Sequence, residues 1–332
     1  LRIPPRLRDG PAFCYPRRKK MERIKKYESL LGKWKVKRKL GEDDLSAVYE
    51  VESEQFGYIN KNAVKLITFK NEEINEGLKE AVILTKLQGR EHILTMYDVF
   101  QFQEEDTTNI VVRMELLTSL EEYTKNRSVD SNFVVKMGID LCKALEICES
   151  QKILHQDINP SNIFINKDGG FKLGGFYLAR EADSYLLNDE EFESAYMPPE
   201  MFKKGMKIDK TVDIYSLGMV MYQLLNGGEL PLMCRNQIVV QDAMGERIFA
   251  PEDRYERVWE VIEKACHFEK EQRYQSAMEM RKELEKIEIE EKINLKNIHD
   301  IEAIKSDIRW MKRNIQYLKN IKQDIEEGRK HF

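Results

Sequence analysis

The chain has 332 residues (39.2 kDa), 42% of them hydrophobic and 34% charged, with a formal net charge of −4. That is enough apolar material for a full core, yet no run approaches the roughly 18 apolar residues of a membrane-spanning helix. Five cysteines without a CxxC pair (Cys14, Cys142, Cys148, Cys234, Cys266) argue against disulfide and zinc frameworks and fit a reducing, cytoplasmic setting.

Residues 1–28 carry Pro4, Pro5, Pro11 and Pro16 among arginines, and the expectation there is a basic tail, disordered or weakly helical. Up to Lys39, fifteen basic residues stand against three acids, about +12, which leaves about −16 for the rest. The sequence starts at Leu1 while Met21 opens an ordinary reading frame, so residues 1–20 read as a tail, a processed segment or upstream sequence. No signal-peptide pattern opens the chain, because basic residues and prolines interrupt each apolar stretch.

Short strands are predicted over 34–40, 47–52 and 62–68, then a helix over 72–87 with Leu78, Val82, Ile83 and Leu87 on its apolar side. Two more strand-like runs follow at 94–100 and 110–115. From Leu120 the pattern turns helical, with 133–150 and 212–225 the longest apolar-rich stretches. Strands and helices in separate blocks predict an α+β fold rather than a wound parallel sheet. In the tail, Ile301, Ile308 and Ile315 recur every seven residues, followed by Lys322. Ile304, Met311, Leu318 and Ile325 take the matching positions three residues on. This heptad pattern supports either a coiled-coil homodimer through 295–329 or a helical hairpin folded back on the domain.

The segment Ile153-Leu-His-Gln-Asp-Ile-Asn-Pro-Ser-Asn162 resembles the catalytic loop of protein kinases, H-R-D-x-x-x-x-N. Further matches follow in the family's order. Asn62-Ala63-Val64-Lys65 looks like the V-A-I-K strand, with Glu80 on the next helix. Met114-Glu115-Leu116-Leu117 is similar to the adenine-contacting hinge, and Met197-Pro198-Pro199-Glu200 to the A-P-E end of the activation segment. Asp213-Ile-Tyr-Ser-Leu-Gly218 looks like the buried Asp helix, and Arg273 stands where the family places the partner of Glu200. The wording of Phe171-Lys-Leu-Gly and Glu263-Lys-Ala-Cys-His resembles the bacterial eukaryote-like Ser/Thr kinases.

The resemblance implies a two-lobed fold: a small antiparallel N-lobe over 29–117, a mainly helical C-lobe over 118–288 and a helical extension over 289–332. It implies nucleotide contacts from Gly41, Val48, Ala63, Lys65, Glu80, Glu115, Leu117 and Phe164, with Ile163 beside Phe164 on the adenine floor. Asp157 stands at the position of the catalytic base and Asn162 at that of a metal ligand. His155, Phe176, Glu200, Asp213 and Arg273 take structural positions, with Leu84, Met96, His155 and Phe176 stacking between the lobes.

Departures concentrate at phosphate and metal. The D-F-G aspartate, which holds Mg²⁺ in the family, is Gly175 here, a loss on the order of 10²- to 10⁴-fold in transfer. Of the Gly-rich loop only Gly41 survives, followed by Glu42, Asp43 and Asp44, which repel phosphate. Asn159 replaces the lysine that reaches the γ-phosphate, and Gln156 the arginine that docks a phosphorylated activation segment. The resemblance with these departures implies a pseudokinase acting by binding, with an active kinase as one partner class. ATP is the ligand implied, with Mg²⁺ binding weakened or lost. The alternatives are a Ser/Thr kinase with residual transfer, or a nucleic-acid or anionic-membrane binder working through the basic arm. For that arm a solvated tail is the preferred reading.

Overall fold

This computed structural model describes residues 24, 28, 31–42, 46–70, 82–83, 85–176, 179–181, 195–202, 208–230, 256–290, 305, 308–309 and 311–312. Five antiparallel strands open it: β1 (Lys35–Glu42), β2 (Ser46–Gln55), β3 (Tyr58–Lys70), β4 (Met96–Gln103) and β5 (Thr107–Glu115). Their order in the sheet is β1-β2-β3-β5-β4. Each strand runs a few residues beyond the apolar run that marks it in the sequence. Hairpin hydrogen bonding extends past the last buried side chain, as in the β2–β3 pairing from Ser46↔Ile67 to Gln55↔Tyr58.

Side-chain alternation gives the sheet two apolar faces. On one, Ile67, Phe69, Ile110 and Val112 join the large core that continues into the second lobe. On the other, Tyr49, Val51, Val64, Leu66 and Val111 form a separate cluster with Ile24 and Leu31. Ile24 is helical and fully buried there, and Glu28 accepts a hydrogen bond from the Val36 N–H at 2.8 Å. Of the segment 1–28, expected as a tail, these two residues are the described ones, and both engage the sheet. Prolines and arginines mask an apolar anchor whose burial depends on a sheet face formed later in the chain.

The second lobe begins with β6 (Thr118–Ser119), α1 (Leu120–Thr124) and α2 (Ser131–Ser150), the last capped by Asp130 accepting from Phe133 N–H at 2.8 Å. Short strands follow: β7 (Ile153–Leu154), β8 (Ile163–Ile165), β9 (Phe171–Leu173) and β10 (Arg180–Glu181). They pair as β6-β8-β9 and β10-β7. Helices α3 (Thr211–Leu225) and α4 (Glu256–Ala265) complete the core with a helix α5 over 277–290. Residues 211–222 of α3 are all buried, which makes it the central helix of the lobe. The architecture is α+β and two-lobed.

Among the described residues two backbone bonds join the lobes, Leu94 N–H to Leu173 O and Leu173 N–H to His92 O, both 2.9 Å. Beside them Lys172 of β9 reaches Glu115 at the end of β5, 2.6 Å from Nζ to Oε1. The same carboxylate oxygen accepts from Thr95 N–H at 2.6 Å. Glu115 thereby ties the last residue of the sheet to the second lobe.

Candidate functional site

The loop between β7 and β8 holds the residues that the sequence singles out most strongly, and α3 fixes its shape. Asp213, buried in the first turn of α3, accepts the His155 N–H at Oδ2 (2.8 Å) and the Gln156 N–H at Oδ1 (2.7 Å). Those bonds hold Gln156 in a left-handed conformation (φ +64°), which a non-glycine residue adopts only when its surroundings impose it. The His155 ring is fully buried. Its Nε2–H donates to Gly174 O at 2.8 Å, and Nδ1 accepts the Asp157 N–H at 3.3 Å, which defines a neutral tautomer. The ring meets Phe176 edge-on, 4.6 Å between centroids. Met96 is buried in the same core, whereas Leu84 lies outside the described residues.

Burial moves these two groups in opposite directions. Asp213 is pushed up to about 6, chiefly by desolvation, against the two backbone hydrogen bonds that lower it. His155 is pushed down to about 4, again by desolvation. An aspartate with a raised folded pKa stabilises most below its unfolded value, near 3.8, and that contribution is lost as pH rises through about 6. A histidine with a depressed folded pKa stabilises above its unfolded value, 6.5, and that contribution is lost as pH falls through about 4. Between about pH 4 and 6 the two slopes, about 1.4 kcal/mol per pH unit each, oppose each other. The Asp213→Asn variant should therefore lose stability more steeply than the parent on acidification across this window. Urea unfolding at several pH values measures it, and parallel curves would refute the assignment.

The carboxylate of Asp157 is bracketed by two amides. Asn159 Nδ2 donates to Oδ1 at 2.8 Å and Asn162 Nδ2 to Oδ2 at 2.7 Å. Asn162 Nδ2 also reaches the Asp157 carbonyl at 2.8 Å, while Asn159 Oδ1 accepts from Ser161 N–H at 2.9 Å. In the sequence Asn159 registers only as a missing lysine; in the fold it is a clamp. Asx-type turns give a signal for that role, since a side-chain amide can bond its own loop two residues on.

Gly175 follows directly, with φ +74°. A Cβ built there would overlap the Oδ1 and Cγ atoms of Asn162 and lie 2.7 Å from its Nδ2. The volume into which a side chain at 175 would project is thus filled by the same amide that holds Asp157. No local pattern announces this, because the two residues are thirteen apart and meet only through the β8–β9 hairpin.

On the sheet, Lys65 of β3 is in register with Val48 of β2 and Val112 of β5. It shares its face with Ala63 and Ile67, the face turned toward the second lobe. Glu80 lies outside the described residues, as do Asp43 and Asp44. Gly41 sits at the exposed end of β1, opposite Val48. Val48, Leu117 and Phe164 are half-buried apolar side chains and Ala63 is buried. Ile163 departs from its expected place. It is wholly buried in the lobe core, because β8 alternates and only Phe164 can take the opposite face.

Farther from the cleft, Arg273 and Glu200 form a buried bidentate pair, 2.6 and 2.9 Å. Arg273 also donates to His267 O at 2.7 Å and Phe268 O at 3.0 Å, and lies over the Tyr215 ring. Gln156, where the resemblance places a docking arginine, is 4% exposed. Its Nε2 is one of two buried side-chain nitrogen or oxygen atoms without a hydrogen-bond partner among the described residues.

Comparison with known proteins agrees with this arrangement. The family model for the protein kinase domain matches residues 34–311. A Wee1-like protein kinase of Oryza sativa subsp. japonica is 30% identical over 195 residues, covering 58% of this chain and 36% of that protein. A probable serine/threonine-protein kinase of Clostridium perfringens is 28% identical over 265 residues, covering 75% of this chain and 37% of its own length. The cyclin-dependent kinase-like 1 of Caenorhabditis elegans is 28% identical over 195 residues, covering 58% and 54%. The chain spans about a third to a half of the length of these curated relatives.

Proposed function

The chain belongs to the protein kinase family, and we propose that within it this protein is a pseudokinase that acts by binding rather than by phosphoryl transfer. The observation that carries the reading is the closure of the metal side of the cleft. At Gly175 the chain offers no carboxylate, and Asn162 fills the space where one would project. Both carboxylate oxygens of Asp157 already accept amide hydrogen bonds. Magnesium demands near-octahedral oxygen ligation and relies on one or two protein carboxylates beside the phosphates. The residues present do not fit that ion, and phosphoryl transfer depends on neutralising charge at the phosphates.

The opposite end of the cleft fits a nucleobase better. Val48, Ala63, Leu117 and Phe164 are apolar, and Glu115 is braced by Lys172 and Thr95 at the turn between the lobes. Lys65 supplies a cation on the same face as Ala63. A nucleotide held by these residues would stabilise the two-lobed shape without reacting, and that shape would be what a partner reads. An active kinase is the partner class that this reading proposes.

A thermal-shift titration with ATP, with and without Mg²⁺ or Mn²⁺, tests this beside a phosphotransfer assay. The expected result is a shift, if any, that the metal does not enlarge, and no transfer of label. Transfer that stops in the Asp157→Asn variant would establish the alternative, a residual Ser/Thr kinase.

A further inference from the structure

We propose that the outer edge of β4 is a self-association site, at which two copies of this chain join their sheets by antiparallel pairing of residues 99–103. β4 forms one edge of the five-stranded sheet and β1 the other. An edge strand presents a row of backbone groups that templates another chain unless charge or irregularity blocks it. β1 is blocked in both ways, carrying Lys35, Lys37, Arg38 and Lys39 and two shifts of register. β4 is not. Its run Val99-Phe-Gln-Phe-Gln103 has no charge, proline or glycine, and its one register shift falls earlier, between Met96 and Asp98.

The ladder with β5 decides which backbone groups face outward. Glu104 N–H donates to Thr107 O at 2.7 Å, and hydrogen-bonded pairs then alternate back along the hairpin at Phe102↔Asn109 and Phe100↔Val111. The N–H and C=O of Val99, Gln101 and Gln103 therefore point away from β5, and among the described residues no hydrogen bond reaches them. A two-fold axis at Gln101 matches this parity. Gln101 then faces Gln101 of the other copy and Val99 faces its Gln103, so every outward N–H and C=O gains a partner. Phe100 falls opposite Phe102 in the non-hydrogen-bonded pairs, where side chains approach nearest. These two rings already stack at 6.5 Å and pack on the Tyr49 and Val51 cluster, so pairing continues that apolar face from one sheet to the next. A slip of one residue would set outward groups against inward ones. Beyond the run Asp98, already held by Arg113, would meet Glu104, which limits the ladder to 99–103. A run complementary to itself in this one register makes a second copy the occupant. The inference does not depend on the absence of catalysis, nor on the heptad run over 295–329, most of which lies outside the described residues.

Sedimentation equilibrium of the full chain up to about 0.5 mM tests this, since so short a ladder makes a weak interface. Thermal unfolding is the check on folding. The parent is expected to dimerise reversibly. Hydrogen exchange at the Val99, Gln101 and Gln103 amides should slow as concentration rises, without a matching change on β1. Gln101→Pro removes a donor that β5 does not use, so the lobe should fold while the dissociation constant rises at least roughly tenfold. Gln101→Lys and Gln101→Glu each set like charges together across the axis and should weaken the dimer to a similar degree. An equimolar mixture of those two should recover heterodimer. A parent that stays monomeric, or a dimer indifferent to all three substitutions, would overturn the proposal. So would a dimer in which the three amides exchange as they do in the monomer, because that marks another interface.

Discussion

Gly175→Ala and Gly175→Asp are both expected to destabilise the domain by about 2–4 kcal/mol, and Gly175→Asp alone is expected to leave phosphotransfer unrestored. Two costs combine. The backbone at 175 has φ +74°, a region that L residues occupy at a penalty, smaller for aspartate than for alanine. Any Cβ there also collides with Asn162, whose amide must then leave Asp157. Hydrogen bonds to a carboxylate are worth about 1.5–3 kcal/mol each. The steric part should vanish when Asn162 is shortened. In an Asn162→Ala background, Gly175→Ala should cost at least about 1 kcal/mol less than in the parent. Urea denaturation of the four proteins closes the cycle. A Gly175→Ala variant as stable as the parent would refute the collision. The same logic predicts that rebuilding a metal site here takes at least two substitutions, since Asn162 is positioned as a brace.

The second large effect lies outside the cleft. Arg273→Met is expected to cost about 3–5 kcal/mol, because it leaves the Glu200 carboxylate buried and unpaired. It also strips the donors from His267 O and Phe268 O, which face the same guanidinium. Glu200→Gln keeps one acceptor for Arg273 and should cost less. The paired change Glu200→Leu/Arg273→Met should be milder than Arg273→Met, since no ion is then stranded. Thermal unfolding of the three variants ranks them. An Arg273→Met protein within about 1 kcal/mol of the parent would show that the ion pair carries little of the lobe's stability.

Much of the fold is readable from the chain because its elements are locally encoded. Short apolar runs mark β2, β3 and β5, and the apolar-rich stretches 133–150 and 212–225 fall within one or two residues of the bounds of α2 and α3. Glu200 and Arg273 register as residue types in a family order, and the fold joins them across more than seventy residues. What local pattern misreads is equally specific. Ile24 looks like part of a basic tail, since nothing near it is apolar enough to suggest a core; its partners are Tyr49, Val51 and Leu66 on strands formed later. Ile163 and Phe164 look interchangeable as floor residues until pleating sends one into the core and leaves the other half-buried. The Lys172–Glu115 pair has no sequence signal, being an ion pair across two lobes.

By itself the sequence determined the family order of motifs, the α+β division and the loss of a carboxylate at 175, because each is a matter of residue identity at a fixed spacing. Only the tertiary structure decided what that loss became. An absent side chain leaves a volume, and which neighbour fills it is set by three-dimensional packing rather than by spacing along the chain. Here Asn162 fills it and turns toward Asp157, so a missing ligand is also an internal brace.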